Sequence, residues 1–224
     1  MTLRWTFRWA AAPLVVLLAL LPLGCTNPFM PADPEPPNGQ GPPEDFKTIE
    51  GLLATISLAI DAKSQAGSDT YIRAMAESTA VGDRAFRAFY DPGVRAAWLI
   101  NSGGQIAPEP WNLFLERGLY SELSGIRQND PYRFEFTHDD GHGFDTENPV
   151  GSGLWEVHRH YELKALPSTG VEVTIAIGFA DLILFDNGSR FSIIEWHDRV
   201  DPNVGVNPSN TDERTFSYYR LESQ

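Results

Sequence analysis

A single cysteine in 224 residues, Cys25, leaves this chain without the thiols for an internal disulfide or a cysteine-built metal site. Positive charge is scarce as well: 17 Lys and Arg stand against 30 Asp and Glu, a formal net charge of −13. A phosphate backbone needs clustered cations, so the balance disfavours nucleic acid and no nucleic-acid partner is expected. The same imbalance keeps the chain off anionic lipid surfaces unless something apolar holds it there. The main apolar run, Ala10 to Leu23, is interrupted by Pro13 and Pro22 and falls short of the ~20 residues that a membrane-spanning helix requires. Gly103-Gly104 lacks the flanking pattern of a P-loop or dinucleotide site, and no nucleophile stands beside a credible base. No internal repeat is visible and no cofactor is expected.

The first residues read as an address. Arg4 and Arg8 precede the apolar run, which closes on Leu21-Pro22-Leu23-Gly24-Cys25. This resembles a bacterial lipoprotein signal peptide spanning 1–24, although Pro22 stands where the lipobox has leucine. Cys25 then becomes a lipidated N-terminus and anchors the chain to a membrane. Thr26 follows it in place of an inner-membrane retention aspartate, which points to the outer membrane of a diderm bacterium. From 25 to 45 the chain is rich in Pro and Gly and forms an extended tether, at ~3.1 Å per residue able to hold a domain about 60 Å from the bilayer.

Residues 46–224 have the length of one domain. Ile49, Leu52, Leu53, Ile56, Ala59 and Ile60 recur at helical steps and predict an amphipathic helix from Thr48 to about Lys63. Gly67 is read as its stop, with Ser68 or Asp69 capping a short second helix. A short strand over Phe86 to Tyr90 ends at Asp91-Pro92, a loop carries Trp98, and a third helix opens near Pro110-Trp111 and stops at Gly125. Strands follow at Tyr132 to His138, Leu154 to Leu163, two hairpin arms within Val171 to Val200, and Thr215 to Leu221. In the hairpin, Asn187-Gly188 fits a two-residue type I′ turn that pairs Leu184 with Phe191, Leu182 with Ile193 and Phe179 with Trp196. Gly178, where the alternation loses its phase, is read as a bulge.

That order is α+β: about three helices packed in a strongly bent antiparallel sheet of five to six strands. The Asp69-to-Tyr71 helix start, Trp111 at the third helix, and Arg190-Phe191-Ser192-Ile193-Ile194-Glu195-Trp196-His197-Asp198 as penultimate strand resemble the cone fold of the nuclear transport factor 2-like superfamily, whose polyketide cyclases and ketosteroid isomerases work in a cavity between helices and sheet. The resemblance implies that Tyr71, Tyr90, Trp98, Trp111, Phe114, Tyr132, Phe134, Phe136, Phe179 and Trp196 lie around such a cavity, either as its lining or as core. Its isomerases place a tyrosine on the first helix; this first helix carries none, and Asp61 near its end is read as solvated.

Asp181, mid-strand between apolar neighbours, is the candidate acid or base if it faces the cavity. His158 and His160 share a strand face with Glu156 and Glu162, away from Val157 and Tyr161, and are read as exterior. His138, Asp140 and His142 sit in an acidic glycine-rich loop that matches no recognised ligand spacing, so no metal site is assigned. The reading is a lipid-anchored envelope protein carrying a non-catalytic module for a small apolar ligand or a protein. The alternatives are a cofactor-free isomerase, cyclase or dehydratase, and a structural envelope protein, with a homodimer through the sheet as one form of partner.

Overall fold

Thr48 begins the first regular element, its hydroxyl accepting from Gly51 N as the cap of helix α1, Ile49–Ala62. The predicted apolar face of α1 is the buried one: Ile49, Leu52, Leu53, Ile56, Ala59 and Ile60. This computed structural model describes residues 41–77, 85–108, 110–137, 147–202 and 214–223. Residues 1–24, expected to be a signal peptide, Cys25 and the loop holding His138, Asp140 and His142 lie outside them. Among the described residues no helix is long and apolar enough to cross a membrane.

Helix α1 ends at Lys63, in the left-handed region at φ 46°. Its ammonium donates to the carbonyls of Arg127, Gln128 and Asp130 at 2.9, 3.1 and 3.0 Å. Ser64 then caps α2, Gln65–Arg73, so Gly67 lies inside that helix and does not stop the first one. The glycine serves packing: a Cβ there would lie 2.4 Å from the Tyr120 hydroxyl, which reaches past it to Ala59 O at 2.7 Å. The domain also starts earlier than the tether boundary at 45 implied. Glu44 accepts from Thr70 at 2.9 Å and pairs with Arg73, and Asp45 N donates to Thr55.

Strand β1, Arg87–Phe89, is followed by α3, Pro92–Asn101, where a loop was expected. Asp91-Pro92 does end the strand, but the same pair is also a helix start: the Asp91 carboxylate accepts from Gly93 N and Val94 N, and proline takes the first helical position. Trp111–Asn112 form the two-residue β2, and Asn112, not Pro110, caps α4, Leu113–Gly125. Five strands follow: β3 (Tyr132–Thr137), β4 (Glu147–Gly151), β5 (Leu154–Ala165), β6 (Val173–Asp186) and β7 (Phe191–Arg199). The segment from Thr215, predicted as a strand, is helix α5, Phe216–Glu222, capped by the Thr215 hydroxyl. Its aromatic content suggested a strand; packing decided otherwise, because helical spacing sends Phe216, Tyr219 and Arg220 to one buried side.

The protein is α+β, with five helices and seven strands among the described residues, more of each than the order predicted. Its sheet runs β2-β1-β7-β6-β5-β3, with β4 also on β5. It is mixed and not wholly antiparallel, because β1 lies parallel to β7. The hairpin register differs from the expected one. Asp186 faces Phe191 and Leu184 faces Ile193, and Gly188 alone turns to positive φ, 86°, as the first central residue of a Gly188-Ser189 turn. That is the type II′ arrangement, reinforced by Asn187 Oδ1, which accepts from Ser189 N at 2.9 Å and Arg190 N at 3.0 Å.

A register shift between Ile183 and Leu184 then leaves Ile194 unpaired, so Leu182 faces Trp196 and Phe179 faces Arg199. The bulge has a consequence for the core: one extra residue flips the phase, turning Trp196 and Asp198 inward while Glu195 and His197 point out. Gly178 is no bulge. It pairs with Tyr161, and a Cβ there would come within 2.7 Å of the Tyr161 hydroxyl and of Arg199 O.

Candidate functional site

Between sheet and helices, where the resemblance implies a cavity, large buried side chains pack together among the described residues. Phe134, Tyr161, Trp196 and Phe216 pack against one another, Phe134 stacked on Phe216 and the others tilted or edge-on, with centroids of Tyr161 and Phe216 at 4.8 Å and of Trp196 and Phe216 at 5.5 Å. Two polar clusters are set into this aromatic interior. In the first, the Glu116 carboxylate takes four hydrogen bonds: Tyr71 Oη and Trp111 Nε1 each at 2.6 Å, Arg220 Nε at 3.0 Å and a terminal Arg220 nitrogen at 2.8 Å. In the second, the Tyr161 hydroxyl donates to Asp198 at 2.6 Å and accepts from Phe216 N at 2.9 Å, while Ser217 N donates to the other Asp198 oxygen.

The charges set the protonation of their neighbours. Burial raises the Tyr71 hydroxyl well above its usual range, and the Glu116 charge adds to it. Burial likewise lifts the Asp198 carboxyl, opposed by Arg220 and by hydrogen bonds from Ser217 and Tyr161. Arg220 goes the other way: burial alone would lower it, but the Glu116 carboxylate overrides that and holds the guanidinium charged. Glu116, Tyr71, Tyr161 and Asp198 find their partners within these two clusters, the pattern of a structural polar core.

An accessible site lies to one side, in a groove of about 470 Å³ between α1 and β3. Leu53 and Leu58 of α1 and Phe134 and Phe136 of β3 make its apolar surfaces, and Glu50 and Asp61 of α1 and Glu135 of β3 are the carboxylates along it. Asp61 Oδ1 accepts from Phe134 N at 2.6 Å, which ties the helix end to the strand. Burial raises its pKa to about 6 despite that hydrogen bond, with Glu135 pushing the same way and Arg133 against. Arg159, almost fully buried on the inner sheet face, completes the lining and pairs with Glu147. A half-buried carboxylate that titrates near neutrality over an apolar floor can accept an amine or hydroxyl, or exchange a proton.

The residues predicted around a cavity are dispersed. Tyr71, Tyr90, Trp111, Tyr132 and Trp196 are buried in the core, and Tyr71 and Trp111 are the donors to Glu116. Trp98 packs partly against the core from α3, Phe114 is 81% exposed, and Phe179 lies on the outer sheet face against His160. Only Phe134, with Phe136, reaches the groove.

Asp181 also faces outward, opposite His158 and His197. It accepts from Arg199 and lies 2.7 Å from His158 Nδ1, so it is a paired surface carboxylate and not a cavity acid or base. His158 and His160 do occupy the exterior face, and His197 stacks on Phe89 there. Among the described residues no group of three His, Cys, Asp or Glu is placed to hold a metal.

Asp61, expected to be solvated, is half-buried in the groove, and its spacing agrees with that: it is four residues past Ser57 and eight past Leu53, at the edge of the apolar helix face. Glu116, Arg220 and Asp198 carried no local signal.

The chain matches no protein-family model and no curated protein sequence. Solved structures similar to it include a protein of unknown function from Mycobacterium tuberculosis, 12% identical, covering 78% of this chain and 91% of that one with a TM-score of 0.48. Another is an NTF-2-like protein of unknown function from Shewanella oneidensis, 13% identical, covering 67% of this chain and 94% of that one with a TM-score of 0.43. These are likenesses of architecture and bring no activity with them.

Proposed function

We propose that this protein is a lipid-anchored envelope module that seats a small amphipathic ligand in the groove between α1 and β3. The observation that carries the reading is the pairing of an apolar floor, Leu53, Phe134 and Phe136, with one half-buried carboxylate, Asp61. Apolar area supplies affinity and Asp61, with Glu50 and Glu135 along the same groove, orients the polar end, which suits an alkyl or aryl amine or alcohol. The volume of about 470 Å³ falls in the range of small-molecule sites. Anchoring at Cys25 and an outer-membrane location belong to the same proposal and rest on the N-terminal sequence.

A dansylated alkylamine is the probe. Saturable fluorescence enhancement is expected, weakened about tenfold or more by Asp61→Asn, since a charged hydrogen bond contributes roughly 1.5–3 kcal/mol. Equal binding by both proteins would remove Asp61 from the site.

One observation favours a second reading, an acid–base enzyme in the same groove: the Asp61 pKa of about 6 lies near an operating pH. In that case Asp61, not Asp181, is the proton-transfer group. Asp61→Asn would then abolish turnover while leaving binding of a neutral ligand intact.

A further inference from the structure

The third helix presents an unusual surface. Val94 and Trp98, one turn apart, pack against the core, yet no residue of α3 is fully buried. Its remaining apolar residues point away from the protein: Ile100 is 79% exposed, and Ile106, beyond the turn, 86%. Leu99 is exposed beside them, and Trp98, Leu99 and Ile106 share the walls of one shallow groove. Gly103 and Gly104 both take positive φ, 73° and 90°, in open space with nothing within 4 Å of an added Cβ. The tip is therefore a narrow, unobstructed knuckle. From Ala96 to Pro108 there is no charged residue, in a chain in which 21% are charged.

We propose that this knuckle, from the end of α3 through Ile106, inserts into the interfacial layer of a phospholipid bilayer. The inference rests on the lipid-anchored reading, because anchoring is what makes a bilayer the standing neighbour of this surface. On that reading a tether from Cys25 that ends before Glu44 confines the domain within about 60 Å of the membrane, so even a weak apolar contact acts at high effective concentration. Charge selects the face. The protein as a whole is strongly acidic, and a stretch without carboxylates is the part that an anionic or zwitterionic headgroup layer admits. Two protruding isoleucines, a half-buried tryptophan at their base and exposed Arg95 a turn behind are the residue types that settle at the acyl–headgroup boundary. Lipidation holds the protein at the membrane, and the knuckle orients it.

The test uses the mature full chain in phosphatidylcholine vesicles, with and without acyl-brominated lipid, and reads tryptophan emission. Brominated lipid is expected to quench a component that disappears in Trp98→Phe and falls about twofold or more in Ile100→Asp/Ile106→Asp, with that variant still vesicle-bound and equally heat-stable. Identical Trp98 emission in both vesicle types, while the chain sediments with the vesicles, overturns the proposal. So does lipid-free self-association that Ile100→Asp/Ile106→Asp abolishes, which assigns the patch to a second copy. The mass of the mature N-terminus is measured separately. If Cys25 is unmodified, the anchoring reading fails; the knuckle is then tested on the same chain held by an N-terminal histidine tag on nickel-chelating lipid, where the same quenching outcomes decide.

Discussion

Glu116 and Arg220, 104 residues apart, form a two-bonded ion pair with neither side chain exposed at all. The pair ties α4 to the C-terminal helix, and Tyr71 and Trp111 donate to the same carboxylate. A buried pair is stable only while both partners are present. Arg220→Met should therefore destabilise by about 3–5 kcal/mol, through a buried unpaired carboxylate, and Glu116→Gln should be less severe. The double variant Glu116→Gln/Arg220→Met, which keeps an amide oxygen to accept from Tyr71 or Trp111, should recover part of the loss. Denaturant midpoints of the three proteins check this; a double variant worse than the sum of the singles would show that the pair is not the unit.

Asp61 predicts a pH dependence of unusual sign for a carboxylate. Its folded pKa, about 6, lies above the ordinary 3.8, so between these values the folded protein holds more protons than the unfolded chain. Its contribution to stability is then full below pH about 4 and is lost as pH rises through about 6. Asp198 is raised too and acts in the same direction, so the measurement is a difference. Wild type minus Asp61→Asn, followed by thermal unfolding from pH 4 to 7, should show that decline; a flat difference would contradict the burial of Asp61.

The hairpin turn separates backbone freedom from packing. An added Cβ at Gly188 would meet nothing within 4 Å, so a substitution is penalised only for its φ of 86°. Gly188→Val should cost about 1 kcal/mol or more and Gly188→Asn less, because asparagine tolerates positive φ. Equal melting temperatures for the two would be inconsistent with the turn.

Gly67 is the opposite case, a glycine held by packing. A methyl there would lie 2.4 Å from the Tyr120 hydroxyl and 2.6 Å from Ala59 O. Gly67→Ala is expected to destabilise by roughly 1–3 kcal/mol despite alanine's better helix propensity. Tyr120→Phe should relieve part of that and leave the clash with Ala59, so partial rescue in chemical denaturation is the expected result.

Cys25 should carry a diacylglyceryl group, and Cys25→Ser should release the domain from membranes without lowering its melting temperature. Mass spectrometry of the mature N-terminus and fractionation decide it; an unmodified cysteine would end the anchored reading.

What the sequence determined by itself is what short-range periodicity encodes. The buried face of α1, the location of the β6–β7 hairpin, the exterior placing of His158 and His160, and the α+β order all follow from spacings within one helix or strand. Tertiary structure decided whatever depends on a distant partner. Asn187 and Gly188 suited one turn, but the pairing of Asp186 with Phe191 selected the next, and the unpaired Ile194 then set which way Trp196 and Asp198 face. Phe216 to Glu222 has strand-like residues and became a helix because Arg220 must meet Glu116. Asp181 and Asp61 both lie among apolar residues in sequence. Only the fold gave the first a histidine and an arginine on the outer sheet face and set the second over an apolar floor, since a carboxylate's environment is made by elements that its own neighbours do not specify.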